Sequence, residues 1–181
     1  MSESFKFNDD NLATAKKIIA RYPQGRQQSA VLPLLDLAQR QNGGHAADAV
    51  IDAVAAMLAM PRIRVMEVAS FYTMINRKPV GKHHLQCCTT TPCWLRGSDA
   101  VLAACKKHIH PQPETVSADG KFSWMEVECL GACANAPMVQ INDDNFEDLT
   151  YDSMSAILEA LATGPVPIGR RWQAVSVDDF H

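Results

Sequence analysis

The residues able to do chemistry are six cysteines: Cys87, Cys88, Cys93, Cys105, Cys129 and Cys133. None lies in the first 86 residues. Four fall into two short-loop pairs. Cys88-Thr-Thr-Thr-Pro-Cys93 is C-x4-C, Cys129-Leu-Gly-Ala-Cys133 is C-x3-C, and 35 residues separate them. Two loops at the same end of a sheet could bring four thiolates to one point. Three chemistries compete for such a set. A [2Fe–2S] cluster takes four thiolates, and its plant-type pattern also opens with C-x4-C. Structural zinc prefers C-x2-C knuckles or adds histidine. A thioredoxin-like redox site needs C-x-x-C, which is absent, although free or redox-active thiols remain open.

The flanking residues favour the cluster. An oxidised [2Fe–2S] centre with four thiolates is a dianion and gains a further negative charge on reduction. It needs backbone N–H donors nearby and little steric bulk. Leu130-Gly131-Ala132 and Ala134-Asn135-Ala136 supply small residues that allow close backbone approach. Thr89, Thr90 and Thr91 can add hydroxyl donors, and Arg96 a positive charge. Cys87 would point away from Cys88 if both lie on a strand. Cys105 sits on the apolar stripe of a helix, where a free cysteine behaves as a small hydrophobe. Both read as structural. His83, His84, His108 and His110 lie near element ends without a paired partner and do not read as ligands. Trp94 reads as a lid or contact residue beside Cys93.

These loops need elements to hold them. Asn8, Asp9 and Asp10 are candidate caps for a helix over Leu12–Arg21, stopped by Tyr22-Pro23-Gln24-Gly25. Ala30, Val31, Leu34, Leu35 and Ala38 share one helical face, ended by Asn42-Gly43-Gly44. A third helix carries Ala47, Val50, Ile51, Val54, Ala55 and Leu58 and closes at Pro61. A fourth runs near Arg64–Met74, with Val65, Val68 and Phe71 or Tyr72 as its apolar edge. The periodicity of this half predicts a small antiparallel bundle without chemistry of its own. Beyond Lys78-Pro79-Val80-Gly81 the pattern changes. His83–Cys88 reads as a strand, Cys88–Arg96 as a loop, and Ser98 as the cap of a helix through Val101, Leu102, Cys105 and Ile109. Phe122–Glu128 alternates as a strand should. Met138–Ile141 and Phe146–Leu149 form a hairpin around Asn142–Asn145. Thr150 caps a last helix with Met154, Ile157, Leu158 and Leu161 on one face. Strand, helix, strand, strand, helix is the order of a small thioredoxin-type sandwich. The expected class is α+β, with a helical bundle over 1–80, a mixed domain over 81–163 and a tail over 164–181. Arg170, Arg171 and Trp172 make that tail a candidate partner contact.

Composition excludes several classes. Hydrophobic residues at 47% and charged residues at 20% describe a folding chain. Seventeen basic against 20 acidic residues give −3, against a general nucleic-acid binder. No apolar run reaches the roughly 20 residues of a membrane span. The opening MSESFKFNDD lacks a secretory pattern, so the thiols are expected to stay reduced in a cytosolic setting. No glycine fingerprint for a nucleotide is present.

The loops CTTTPCWLRGSD (88–99) and ECLGACANAPM (128–138) resemble the signature of a known family. SAVLPLLDLAQRQNG (29–43), VMEVASFYTM (65–74) and PVGK (79–82) resemble it too, over roughly residues 10–162. The family is the small thioredoxin-like [2Fe–2S] subunit, the E-type subunit, of bacterial NADH-quinone oxidoreductase, respiratory complex I. The resemblance implies a helical bundle followed by a thioredoxin-like [2Fe–2S] ferredoxin domain. It implies one cluster on Cys88, Cys93, Cys129 and Cys133, with FMN and NADH on a neighbouring flavin subunit and further iron–sulfur subunits beyond. It implies one-electron exchange with that flavin, no NADH oxidation by the isolated chain, and no nucleic acid or direct membrane insertion. It places the chain on the cytoplasmic side of the inner membrane, held there through the complex. The same module occurs in NAD-dependent formate dehydrogenases and NAD-reducing hydrogenases, which are the alternative settings. A zinc-knuckle scaffold protein is the remaining alternative.

Overall fold

The computed structural model describes residues 4–164, and the chain divides into two compact units between Pro79 and Val80. The proposed partner contact at Arg170, Arg171 and Trp172 lies outside the described residues.

The first unit holds four α-helices: α1 (Asp9–Ala20), α2 (Val31–Gln41), α3 (Asp48–Leu58) and α4 (Arg62–Phe71). A 3-10 turn over Gln27–Ala30 leads into α2. The Asn8 side chain accepts a hydrogen bond from the Asn11 amide and so caps α1. Leu34, Leu35, Val50, Ile51, Val54 and Val65 form the interior. Buried Gln39 ties α2 to the segment after α4. Its amide donates to the Met74 carbonyl at 3.0 Å, and its Oε1 accepts from the Asn76 amide at 3.1 Å. The expected apolar edge of α4 needs one correction. Val65 and Ala69 are buried, but Phe71 is 77% exposed, and Tyr72, past the helix end, is 39% exposed. Six helical residues turn Phe71 about 240° from Val65, off the inward face.

The second unit is built on a four-stranded sheet in the order β2-β1-β3-β4. The strands are β1 (His83–Cys88), β2 (Phe122–Val127), β3 (Val139–Ile141) and β4 (Asp144–Phe146). β1 and β2 are parallel, in register from His83↔Phe122 to Cys88↔Val127. A parallel pair needs a long crossover. Here it contains α5 (Thr91–Leu95) and α6 (Ser98–His108). β3 runs antiparallel to both β1 and β4. The last helix, α7 (Tyr151–Thr163), starts at a capping box between Thr150 and Ser153. Leu85, Cys87, Trp124, Val139 and Ile141 share a core with Val101 and Cys105 of α6 and Met154 and Leu158 of α7. The Trp124 indole N–H reaches the His110 carbonyl at 2.8 Å.

Three features differ from expectation. Ser98 does not cap α6: it is the first helical residue, and Gly97 takes the cap position without a side-chain bond. Residues 91–95 form a short helix inside the expected loop; Pro92 suits a first helical turn, where its missing N–H would have no partner anyway. The hairpin turn is also tighter. Ile141 pairs with Asp144, which leaves Asn142 and Asp143 as a two-residue loop, so β4 begins at Asp144 and ends at Phe146. Asn142 takes the positive φ, 54°, that such turns demand.

Candidate metal centre

Parallel strands finish at the same edge of a sheet, and that edge positions the cysteines. Cys88 is the last residue of β1, and its register partner Val127 is the last of β2. The first cysteine loop therefore leaves β1 beside the point where the second leaves β2. The Cys88 amide donates to the Met138 carbonyl at 3.3 Å, and the Thr89 amide to the Val127 carbonyl at 3.4 Å. These bonds carry the pairing past the strand ends. α5 then turns Cys93 back toward Cys88. On the second loop Gly131 adopts φ 89°, a value that a side chain disfavours, just before Cys133. The Asp148 amide donates to the Asn135 carbonyl at 2.8 Å and fastens that loop to the segment after β4.

The four thiols stand as two pairs. Cys129 Sγ and Cys133 Sγ are 3.4 Å apart and exposed. Cys88 and Cys93 are buried with Ala136 and Met138, and Leu130 and Ala132 pack against them. The pairs are within electrostatic reach of each other. The charge of Cys88 raises the pKa of Cys129 and Cys133, and that of Cys133 raises Cys93.

Each pair has one thiol favoured as thiolate. Burial raises Cys88, yet it falls below the ordinary thiol value. The Thr90 hydroxyl, the backbone N–H groups of Leu130 and Thr90, and the Cys93 thiol all hydrogen-bond its sulfur. Cys93 is pushed up to about 11 by burial and then by its bond with Cys88. The Met138 N–H works against that rise. Cys129 is lowered by the Gly131 N–H, then by the Cys133 thiol and the Thr90 hydroxyl. Cys133 is raised, first by its bond with Cys129. Backbone donors from two loops thus converge on sulfur, which suits a strongly anionic centre.

Among the described residues no three Cys, His, Asp or Glu side chains are gathered to hold a single metal ion. Four thiols in two pairs suit a two-iron centre, with two thiolates per iron, better than one tetrahedral zinc.

The other candidates fall elsewhere. Cys87 and Cys105 meet each other, Sγ to Sγ 3.8 Å, inside the sheet–helix core. The Cys87 thiol is pushed well up by its bond with Cys105 and then by burial. His84, read as unpartnered, pairs instead through Nδ1 with the Ser123 hydroxyl at 2.8 Å. His110 Nδ1 meets the Gln112 backbone. Trp94 is 59% and Leu95 71% exposed on α5. Of the three threonines, Thr90 is the one whose hydroxyl is hydrogen-bonded to a thiol among the described residues, that of Cys88. The sequence offers three equivalent threonines, and only the turn into α5 separates them.

Comparison with known proteins identifies the family. The profile of the thioredoxin-like [2Fe–2S] ferredoxin family matches residues 15–162. The E-type subunit of the NADH-quinone oxidoreductase of Rickettsia bellii is 58% identical over 158 residues, 87% of this chain and 95% of the relative. The protein of the same name from Rickettsia conorii is 56% identical over the same share. An NAD+-reducing [NiFe]-hydrogenase crystal structure, in the H2-reduced state, aligns with TM-score 0.63 at 20% identity. That alignment covers 74% of this chain and 23% of the hydrogenase chain, and it speaks for the fold alone.

Proposed function

The chain belongs to the thioredoxin-like [2Fe–2S] ferredoxin family, and on that premise we propose that it is the electron-transfer subunit of an NADH-quinone oxidoreductase. Cys88, Cys93, Cys129 and Cys133 would hold the cluster, as a buried pair and an exposed pair of thiolates. A [2Fe–2S] cluster bound there supplies one-electron storage and exchange. The residues of the chain do the rest. The strand edge fixes the two loops side by side. The N–H groups of Thr90, Leu130, Gly131 and Met138 stabilise sulfur charge. Ala136, Met138 and Leu130 exclude water from the inner pair. Exposed Cys129 and Cys133 set the outer pair at the surface, where a redox partner can approach.

That partner is the flavin subunit carrying FMN and NADH, with further iron–sulfur subunits beyond it. The names of the Rickettsia relatives, both subunits of NADH-quinone oxidoreductase, support this reading. Among the described residues no helix is long and apolar enough to cross a membrane. Attachment to the cytoplasmic face of the inner membrane is therefore assigned to the complex.

The single observation that carries the proposal is the convergence of two thiol pairs and their N–H donors at one sheet edge. Purification under anaerobic conditions tests it. The chain is expected to be coloured, to hold two irons and two acid-labile sulfides, and to give an electron paramagnetic resonance signal on one-electron reduction. Alone, it should not oxidise NADH with artificial acceptors. A colourless chain holding one zinc overturns the proposal.

A further inference from the structure

We propose that Thr90 is a positioning residue that sets the reduction potential of the centre, by donating its hydroxyl proton in a hydrogen bond to Cys88 of the first loop. This rests on the four-thiolate reading above. Three observations carry it. Thr90 is the N-cap residue of α5, with extended backbone at φ −69° and ψ 168°. A threonine there ordinarily turns its oxygen onto the amides of its own helix. Thr90 makes no such bond. Its Oγ1 lies instead 3.4 Å from Cys88 Sγ.

The chemistry follows from the donor count. A metal-bound thiolate has no proton, so with the cluster in place the hydroxyl must be the donor. Its one proton goes to the Cys88 sulfur. Reduction adds an electron, and no covalent bond forms or breaks. Thr90 keeps its proton throughout. The added negative charge resides partly on sulfur, so a donor there favours the reduced form and raises the potential.

The test is Thr90→Val against Thr90→Ser in the full chain, loaded with cluster. Valine keeps the shape and removes the hydroxyl, and α5 loses no cap because Thr90 makes none. Potentials are read by redox titration of the paramagnetic signal, which counts only loaded chains, so incomplete loading does not blur the result. T90V is expected to be about tenfold harder to reduce, a fall of about 59 mV for a one-electron couple. T90S is expected to stay within about twofold of the wild type. In deuterated buffer, the wild-type signal should show coupling to an exchangeable proton that T90V lacks. Loaded T90V at the wild-type potential overturns the proposal, as does an equal fall in T90S. A wild-type chain that takes up no iron and sulfide instead sinks the cluster reading itself.

Discussion

Cys87 and Cys88 are adjacent, equally buried, and opposite in character. Strand alternation aims Cys87 into the core between the sheet and α6, where it meets Cys105. It aims Cys88 at the edge where both loops gather. Burial raises both thiols. For Cys87 nothing opposes it: the Cys105 bond, burial, and the charges of Glu126 and Cys88 all push upward. For Cys88 the Thr90 hydroxyl and the N–H groups of Leu130 and Thr90 outweigh burial, and the thiol falls. Depth alone does not distinguish the proposed ligand from the core residue. The supply of donors does.

The largest test of that contrast is replacement of each cysteine by alanine. Losing Cys88, Cys93, Cys129 or Cys133 opens a position on an iron, and each variant should lose most of its visible absorption, iron and sulfide. Losing Cys87 or Cys105 should leave all three. Cys87 should not rescue Cys88→Ala. To reach the edge it would need a one-residue slip of β1, which would turn Leu85 out of the core and Gln86 into it. A coloured C133A beside a bleached C105A would reverse the contrast.

The two cysteine loops and their place at the strand ends were legible in the sequence, because the spacing is local and the flanking strands are regular. The His83–Cys88 strand and the Thr150 cap also stand where their patterns put them. Other features were hidden for physical reasons. Helix α5 spans five residues, too few for a 3.6-residue period to show. Apolar residues lie on more than one side of α4, so the pattern could not say that Phe71 faces outward. All three threonines read as possible hydroxyl donors, and the turn into α5 decides that Thr90 is the one that meets Cys88. The His84–Ser123 bond joins residues 39 apart in sequence and depends on the parallel register.

Gly81 gives a sharper test of the shared edge. A Cβ there would lie 2.3 Å from the Phe122 carbonyl carbon, at the start of the β1–β2 pair. The Gly81 amide also donates to the Ser123 hydroxyl at 2.9 Å. Gly81→Ala must force the two chains apart, at a cost of about 1–3 kcal/mol. Denaturant unfolding should show this loss. If the edge is what aligns the loops, cluster loading should fall with it. Loading unchanged at full destabilisation would show that the loops hold themselves.

The core pair should behave as core. Cys105→Ala removes one sulfur from a fully buried site, and a loss of about 1 kcal/mol is expected. Cys87 is as deeply buried, so its replacement should cost a similar amount. Because the two sulfurs touch, the double variant should lose less than the sum, by about 0.5 kcal/mol or more. Strict additivity would mean that their contact contributes nothing.

The smallest expected effect asks whether burial without donors also governs the far end of the same strand. His84 lies on the face of β1 that Cys88 shares, is 7% exposed, and has its pKa lowered by burial from 6.5. Its Nδ1 meets Ser123, and no charged partner opposes the shift. Below pH 6.5 the unfolded chain binds a proton at His84 that the folded chain refuses, so acid favours unfolding. Stability should be full above that pH and fall as the pH drops below it. The slope is limited to about 1.4 kcal/mol per pH unit for one proton. His83 is lowered as well, by burial first and then by Lys82 and Lys121, and adds to the slope. His84→Gln removes one of the two titrations and should flatten the curve between pH 7 and 5.5. The loaded chain is the one to measure, since its bound thiolates do not titrate there. An unchanged slope in His84→Gln would mean that burial fails to exclude charge at His84, and the rule drawn from Cys87 would not extend along β1.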